Sequence, residues 1–247
     1  MYSFGAKYFE SYKFTIVLKK IKYLGLIPAR GGSKGVKNKN IKKIKNKPLV
    51  CHTIDQAINS KIFKCITVSS DSKKILDIVK KNGINDLIMR PKKLARDSSP
   101  KIPVIRHCLI EMEKKYNTTF DFIIDLDATS PLRKISDIKD ALKKMIFNDS
   151  NNLFTVTASR RNPYFNAVEF KNNKIQPVKS LMKNLTSRQQ APVVYDMNAS
   201  IYIWKRNFLL KSNTVFNKKT SVHIMPEERS IDIDTELDYK IVSTLLS

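Results

Sequence analysis

Cysteine and histidine are scarce, with three of each in 247 residues. Cys51, Cys65 and Cys108 stand alone, odd in number and without Cys-x-x-Cys spacing. Neither a disulfide framework nor a zinc ribbon is expected, and all three read as buried reduced thiols. His52, His107 and His223 are scattered, and none has neighbours that suggest a nucleophile's base or a zinc ligand. Long apolar runs are missing as well: nothing approaches the roughly 18 to 20 residues of a membrane span. Residues 1–20 lack both a basic start and a small-residue cleavage site. The expectation is a cytoplasmic protein with no membrane partner.

Acidic residues are few too. Twenty-two Asp and Glu face 46 Lys and Arg, a formal net charge of +24. Such an excess raises the question of nucleic acid, and its distribution argues against it. Lysine pairs such as Lys42-Lys43, Lys80-Lys81 and Lys218-Lys219 are spread over nearly every element, with no aromatic-interleaved stripe and no zinc-finger or RNA-recognition signature. A general positive field of this kind gathers small polyanions, such as nucleoside triphosphates and acidic sugars. With 42% hydrophobic and 28% charged residues the composition is that of an ordinary globular chain, long enough to need no metal or disulfide staple.

What is present is an alternation of strands and helices. The run Y-L-G-L-I at residues 23–27 stops at Pro28 and a glycine pair, so it reads as a buried strand opening into a loop. Helical spacing over residues 49–60 is followed by a strand at 65–69, a helix at 73–82 closed by Gly83, and a short strand at 87–89. A helix at 101–116, a strongly apolar strand at 120–126 and a helix at 136–147 capped by Ser136 continue the pattern. Such alternation predicts an α/β fold, a mostly parallel sheet with helices on both faces and ligands bound beyond the carboxyl ends of its strands.

After Leu153 the pattern changes. A strand at 154–158 is followed by a small hairpin, 168–170 and 175–178, around Asn172 and Asn173 and away from the main sheet. The chain returns through a strand at 199–204, a short helix at 207–210 and a last strand at 230–234. Thr235 then caps the closing helix, with Asp238 in the capping-box position. Residues 1–20 form an extension of unknown role, within which 14–18 reads as an extra edge strand, a docked helix or the trace of a mistaken translation start.

Three motifs carry chemistry. The loop after the first strand holds Ala29, Arg30, Gly31, Gly32, Ser33, Lys34 and Gly35, followed by Lys37, Lys39 and Asn40. Its glycines let backbone N–H groups approach an anion, while Arg30, Lys34, Lys37 and Lys39 supply charge for a polyphosphate. It is neither a Walker loop nor a dinucleotide fingerprint. Asp232 and Asp234, two apart in an extended stretch, project to one side and suit Mg²⁺; acids decorating a helix N-terminus are the plainer reading. Asp125 and Asp127 end the most apolar strand with the same spacing, which a metal-dependent glycosyltransferase would also show, and Thr129, Ser130 and Arg133 follow them. Arg90, Arg96 and Asp97 follow the third strand and read as nucleotide contacts or as an ion-paired loop.

Taken together, I-P-A-R-G-G-S-K-G at 27–35 with Lys39 and Asn40, V-S-S-D at 68–71, Arg90-Pro91, T-S-P-L-R at 129–133, R-Q-Q at 188–190, Asn198 and S-I-D-I-D-T-E-L-D at 230–238 resemble the acylneuraminate cytidylyltransferases, the CMP-sialic acid synthetase family. Seven separated segments agree in order over about residues 23–246. The resemblance implies a Rossmann-like, GT-A-like nucleotidyltransferase domain over 21–247, with an insertion at about 158–197 that exchanges with a second subunit to form a homodimer. It implies CTP on Ala29, Arg30, Gly31, Gly32, Ser33, Lys39, Asn40 and Arg90. Mg²⁺ would lie on Asp232 and Asp234, and Arg30 and Lys39 would join that pair as the catalytic groups. An acidic nine-carbon sugar would lie by Asp127, Thr129, Ser130, Arg188, Gln189 and Asn198.

Two departures from the family pattern bear on the sugar. Asp127-Ala128 replaces a common Gln-Pro, and Asp196-Met197 replaces the Arg-Pro often found before the asparagine. With residues 160–166 and 195–200, these resemble the branch that activates legionaminic acid, a diamino relative of sialic acid. The expected reaction joins CTP to N,N'-diacetyllegionaminic acid, giving a CMP-sugar for surface glycans and pyrophosphate. N-acetylneuraminate and pseudaminate are the alternative sugars. A glycosyltransferase using Asp125 and Asp127, and a basic nucleic-acid-binding module, are the alternatives of other classes.

Overall fold

The computed structural model describes residues 21–180 and 185–246, so the readings of residues 14–18 lie outside the described residues. The first half repeats strand and helix. Strand β1 (Tyr23–Pro28) leads, through the two-residue strands β2 (Lys43–Ile44) and β3 (Lys47–Pro48), to helix α1 (Leu49–Ser60). Then come β4 (Cys65–Ser70), α2 (Lys73–Lys81), β5 (Asp86–Met89), α3 (Lys101–Tyr116), β6 (Phe122–Leu126) and α4 (Ile135–Phe147). The second half runs β7 (Asn152–Ala158), β8 (Val168–Lys171), β9 (Lys174–Pro177), β10 (Tyr195–Lys205), α5 (Arg206–Lys211), β11 (Thr220–Ile224) and α6 (Glu236–Leu245).

Seven strands form one sheet in the order β11-β7-β10-β6-β1-β4-β5. Strand β10 is antiparallel to both its neighbours, and the other pairs are parallel. Period-two alternation sends β1 side chains to both faces. Leu24 and Leu26 pack with Ile105 and Leu109 of α3, whereas Tyr23 and Ile27 pack with Val50 and Ile54 of α1 and Ile138 of α4. Each such fully buried aliphatic side chain contributes about 1.5–3 kcal/mol. Among the described residues no helix is long and apolar enough to cross a membrane.

The elements read from local pattern appear where expected, with three corrections. Among the described residues, 230–234 pair with no strand. Ile231 and Ile233 pack into the core, with the Ile233 N–H on the Thr129 carbonyl at 3.0 Å, and Asp232 and Asp234 line the cleft, so the alternation of sides is real without a ladder. The sequence reading missed the two-residue pair β2–β3 and also β11, a half-buried edge strand whose Ser221 and His223 break the apolar pattern. Ser136 does not cap α4; Asp137 turns back on the Lys134 N–H at 2.8 Å instead. The capping box of α6 forms as read, with Asp238 Oδ2 on the Thr235 N–H at 2.7 Å. The β8–β9 hairpin turns through Asn172 and Asn173 at φ of 51° and 58°, the left-handed pair that a tight hairpin requires. All three cysteines are free; Cys51 and Cys108 are buried, but Cys65 is only partly so.

Candidate active site

Beyond Pro28 the chain leaves the sheet and crosses the carboxyl ends of β1 and β4. The Ala29 N–H holds the Ser69 carbonyl at 2.9 Å, and the Gly31 N–H donates to Asp71 Oδ1 at 2.8 Å. That amide is therefore committed to the scaffold rather than free for an anion. At Gly35 a side chain would place its Cβ 2.0 Å from the Asp234 carbonyl oxygen, so the loop and the acidic segment touch backbone to backbone. Asn38, at a φ of 55°, turns the chain into a short 3₁₀ turn, Lys39–Ile41. From there Lys39 Nζ donates to the Ile233 carbonyl at 2.5 Å and to Asp234 Oδ1 at 2.9 Å, across 195 positions of sequence. Asn40 Nδ2 holds the Arg30 carbonyl at 2.8 Å and fixes the loop from inside.

The resulting cleft of about 380 Å³ is lined by Arg30, Ser33, Lys39 and Asn40, by Asp232 and Asp234, and by Arg90, Asp127 and Thr129 from the ends of β5 and β6. Burial, and then the neighbouring Asp234, push the Asp232 carboxyl up to about 6. Crowded carboxylates of this kind are what a hard divalent cation relieves, and two of them fit a Mg²⁺ shell completed by phosphate and water. Among the described residues no cluster of three or more His, Cys, Asp and Glu forms a self-sufficient metal cage.

Arg90 is buried and spends two of its five N–H donors on Ser69, on Oγ at 3.1 Å and on the carbonyl at 2.7 Å. Arg30 and Lys34 already meet an anion: Asp97 bonds the guanidinium of Arg30 and pairs with Lys34 Nζ at 2.6 Å. Hydrogen bonds from Lys34 and then Arg30 hold the Asp97 carboxyl below its ordinary range. The ion-paired reading of this loop holds for Asp97, whose carboxylate stands where a polyphosphate would compete for the same cations.

At the end of β6 the second acidic pair is differently served. Lys101, the first residue of α3, brings its ammonium to 3.1 Å from Asp125 Oδ2 and 3.3 Å from Asp127 Oδ2, and lies 4.2 Å over the Tyr202 ring. Burial opposes charge on Lys101, but Asp125 and Asp127 outweigh it and its pKa is raised. Asp127 Oδ1 accepts from the Thr129 N–H at 3.0 Å and from its hydroxyl at 2.8 Å. Against burial, Lys101 and these Thr129 bonds hold the Asp127 carboxyl below its usual range. Lys101 escaped the sequence reading because one lysine in a lysine-rich chain carries no local signal.

Other expected residues stand elsewhere. Arg133 is buried and stitches the Ser200 carbonyl, Thr53 and Gln56 together at 2.6, 3.2 and 3.0 Å, so its guanidinium is structural. Ser130 is fully buried and outside the cleft lining. Asn198 is buried too, its amide used by the Thr155 hydroxyl at 2.6 Å and the Ser230 hydroxyl at 2.9 Å. Arg188 and Gln189 lie on the exposed turn Arg188–Gln190, with Arg188 Nη2 on the Ser159 carbonyl at 2.7 Å. The structure brings none of these four expected sugar contacts to the cleft.

Residues 24–242 match the family model described as Cytidylyltransferase. The chain belongs to that family. It is 50% identical over 221 residues to the CMP-N,N'-diacetyllegionaminic acid synthase of Campylobacter jejuni, covering 90% of this chain and 93% of the relative. It is 49% identical over 220 residues to the post-translational flagellin modification protein B of Campylobacter coli, covering 89% and 93%. A solved CMP:2-keto-3-deoxy-manno-octonic acid synthetase complexed with CTP is similar in fold, with a TM-score of 0.67 at 17% identity over 91% of this chain and 98% of that one. The cytidylyltransferase is thus built on the sheet described above, with the cleft at the carboxyl ends of its parallel strands.

Proposed function

We propose that this cytidylyltransferase joins CTP to a nine-carbon α-keto acid sugar, N,N'-diacetyllegionaminic acid, giving the CMP-sugar and pyrophosphate. The observation that carries the reading is the meeting of the glycine loop and the Asp232–Asp234 segment through Lys39 around one cleft. The 50% identity to a synthase named for that product supports the choice of sugar. The flagellin-modification name of the second relative supports a role in supplying an activated sugar for a surface glycan.

In this reading the anomeric hydroxyl oxygen attacks the α-phosphorus in line, the α–β bridging P–O bond breaks, pyrophosphate leaves and the hydroxyl proton is lost. Arg30 and Lys34 exchange Asp97 for phosphate oxygens. Lys39, held beside Asp234, faces the triphosphate, and Arg90 offers its free N–H groups to the cytosine side. Asp232 and Asp234 would hold Mg²⁺, which supplies charge neutralisation on the phosphates when bound. Asp127, ionised below the ordinary range, is a poor proton acceptor and serves as a hydrogen-bond acceptor for the sugar instead. The exposed Val168, Phe170 and Ile175 of the β8–β9 hairpin support a second copy as the partner of the 158–197 insertion.

The test is product analysis with CTP, Mg²⁺ and legionaminic, pseudaminic and N-acetylneuraminic acids. Pyrophosphate and CMP-legionaminate, formed fastest with the first acid, support the proposal. Release of CDP, or no CMP-sugar from any acid, overturns it.

A further inference from the structure

Lys101 belongs to none of the motifs that identify the site, yet at the cleft it pairs with both members of an Asp-x-Asp pair. Its ammonium has three protons, and three acceptors surround it: Asp125 Oδ2 at 3.1 Å, Asp127 Oδ2 at 3.3 Å and the Tyr202 ring face at 4.2 Å. Its charge is thereby directed to the two carboxylates rather than to the triphosphate loop. Asp125 is entirely buried, and among the described residues neither of its carboxylate oxygens has a hydrogen-bond donor, so the Lys101 ammonium at 3.1 Å is its counter-ion. Without Lys101, the buried Asp125 and the cleft-lining Asp127 would have no cation between them, an arrangement in which one must take up a proton or turn away.

Asp127 Oδ1 is filled by Thr129, so Oδ2 is the oxygen that remains for the cleft, and Lys101 is the group that holds it. An ionised carboxylate fixed in this way accepts hydrogen bonds and donates none. We infer that Lys101 is the positioning residue for sugar recognition: clamped between Asp125 and Asp127, it presents Asp127 Oδ2 as a fixed acceptor for an N–H or O–H group of the acidic sugar. The inference rests on the proposed function and deepens it, because it assigns the sugar end of the cleft to an Asp–Lys–Asp cluster that leaves the triphosphate loop untouched. The ligand class it selects is an amide- or hydroxyl-bearing sugar acid with a donor aimed at Asp127.

The test uses steady-state kinetics of pyrophosphate release, with CTP and N,N'-diacetyllegionaminic acid varied separately. Removing Lys101 alone leaves a buried net charge, so the informative variant is K101M/D125N, which keeps the cluster's charge balance while Asp127 loses its cation. K101R, which keeps the charge but replaces a compact ammonium with a planar fork, is the second variant. The expected result is a KM for the sugar acid raised roughly tenfold or more in both, with the KM for CTP within about twofold of wild type. A fully folded K101M/D125N enzyme with unchanged KM for the sugar, or KM values for both substrates raised equally, overturns the inference while leaving the proposed function in place. Wild-type protein that converts no sugar acid overturns the proposed function itself.

Discussion

The chain carries two Asp-x-Asp pairs that reach one cleft, the first through Asp127 alone and the second through both members, with the same spacing and different circumstances. Asp125 and Asp127 end a core strand, and a lysine stands between them. Asp232 and Asp234 lie on an unpaired extended segment; Lys39 reaches Asp234, while Asp232 is pushed up to about 6 by burial and by its neighbour. The first pair shares one lysine between its carboxylates, although burial holds Asp125 above its ordinary range; the second has its lysine on Asp234 only. The second pair is the one that opens both carboxylates to the cleft, where a cation from outside can reach them. On the proposed reading this difference, not the shared spacing, favours Asp232 and Asp234 over Asp125 and Asp127 as the metal carboxylates and argues against a glycosyltransferase reading of the first pair.

The comparison can be broken in four ways. The largest effect is expected from D232N, which removes a metal carboxylate and should lower kcat/KM by about 10²- to 10³-fold, measured by pyrophosphate release. Retention of full turnover by folded D232N would exclude Asp232 from the site. Next, K101M strips the first pair of its cation and should cost about 3 kcal/mol of stability by leaving buried charge uncompensated, read from denaturant unfolding. D125N added to it should recover much of that loss.

The third prediction concerns pH. The folded protein raises the Asp232 pKa from 3.8 to about 6. The stability this group contributes is therefore fully present below its unfolded pKa and is lost as pH rises through 6. Metal-free D232N should accordingly melt higher than wild type at pH 7.5, and the difference should vanish near pH 4. Equal melting temperatures at pH 7.5 would contradict the crowding described for this pair. The smallest effect is expected at Asp97. Removing the anion that competes for Arg30 and Lys34 in D97N should tighten CTP binding by up to about fivefold, since the pair is exposed and partly screened, as measured by calorimetry.

The parts legible in the sequence are those whose cause is local. Helix α1 over Leu49–Ser60 and helix α3 over Lys101–Tyr116 follow from apolar spacing, and the hairpin turn follows from the consecutive Asn172 and Asn173. The glycine loop and the 232–234 pair were legible as chemistry because their residue types suit phosphate and magnesium. Three things were not. Strand β11 is a half-buried edge whose polar residues hide its period. An asparagine whose amide is saturated in the core, Asn198, cannot be told from one that binds a ligand without its partners Thr155 and Ser230. Lys101 has meaning only through Asp125 and Asp127, brought to it by the crossover from α3 to β6.

The most direct test of the account is the effect of Mg²⁺ on CTP affinity, measured by calorimetry in wild type, D232N and D127N. The account predicts that Mg²⁺ tightens CTP binding in wild type and D127N alike and leaves D232N unaffected. A magnesium effect that survives in D232N and disappears in D127N would put the cation on the other pair and contradict the assignment.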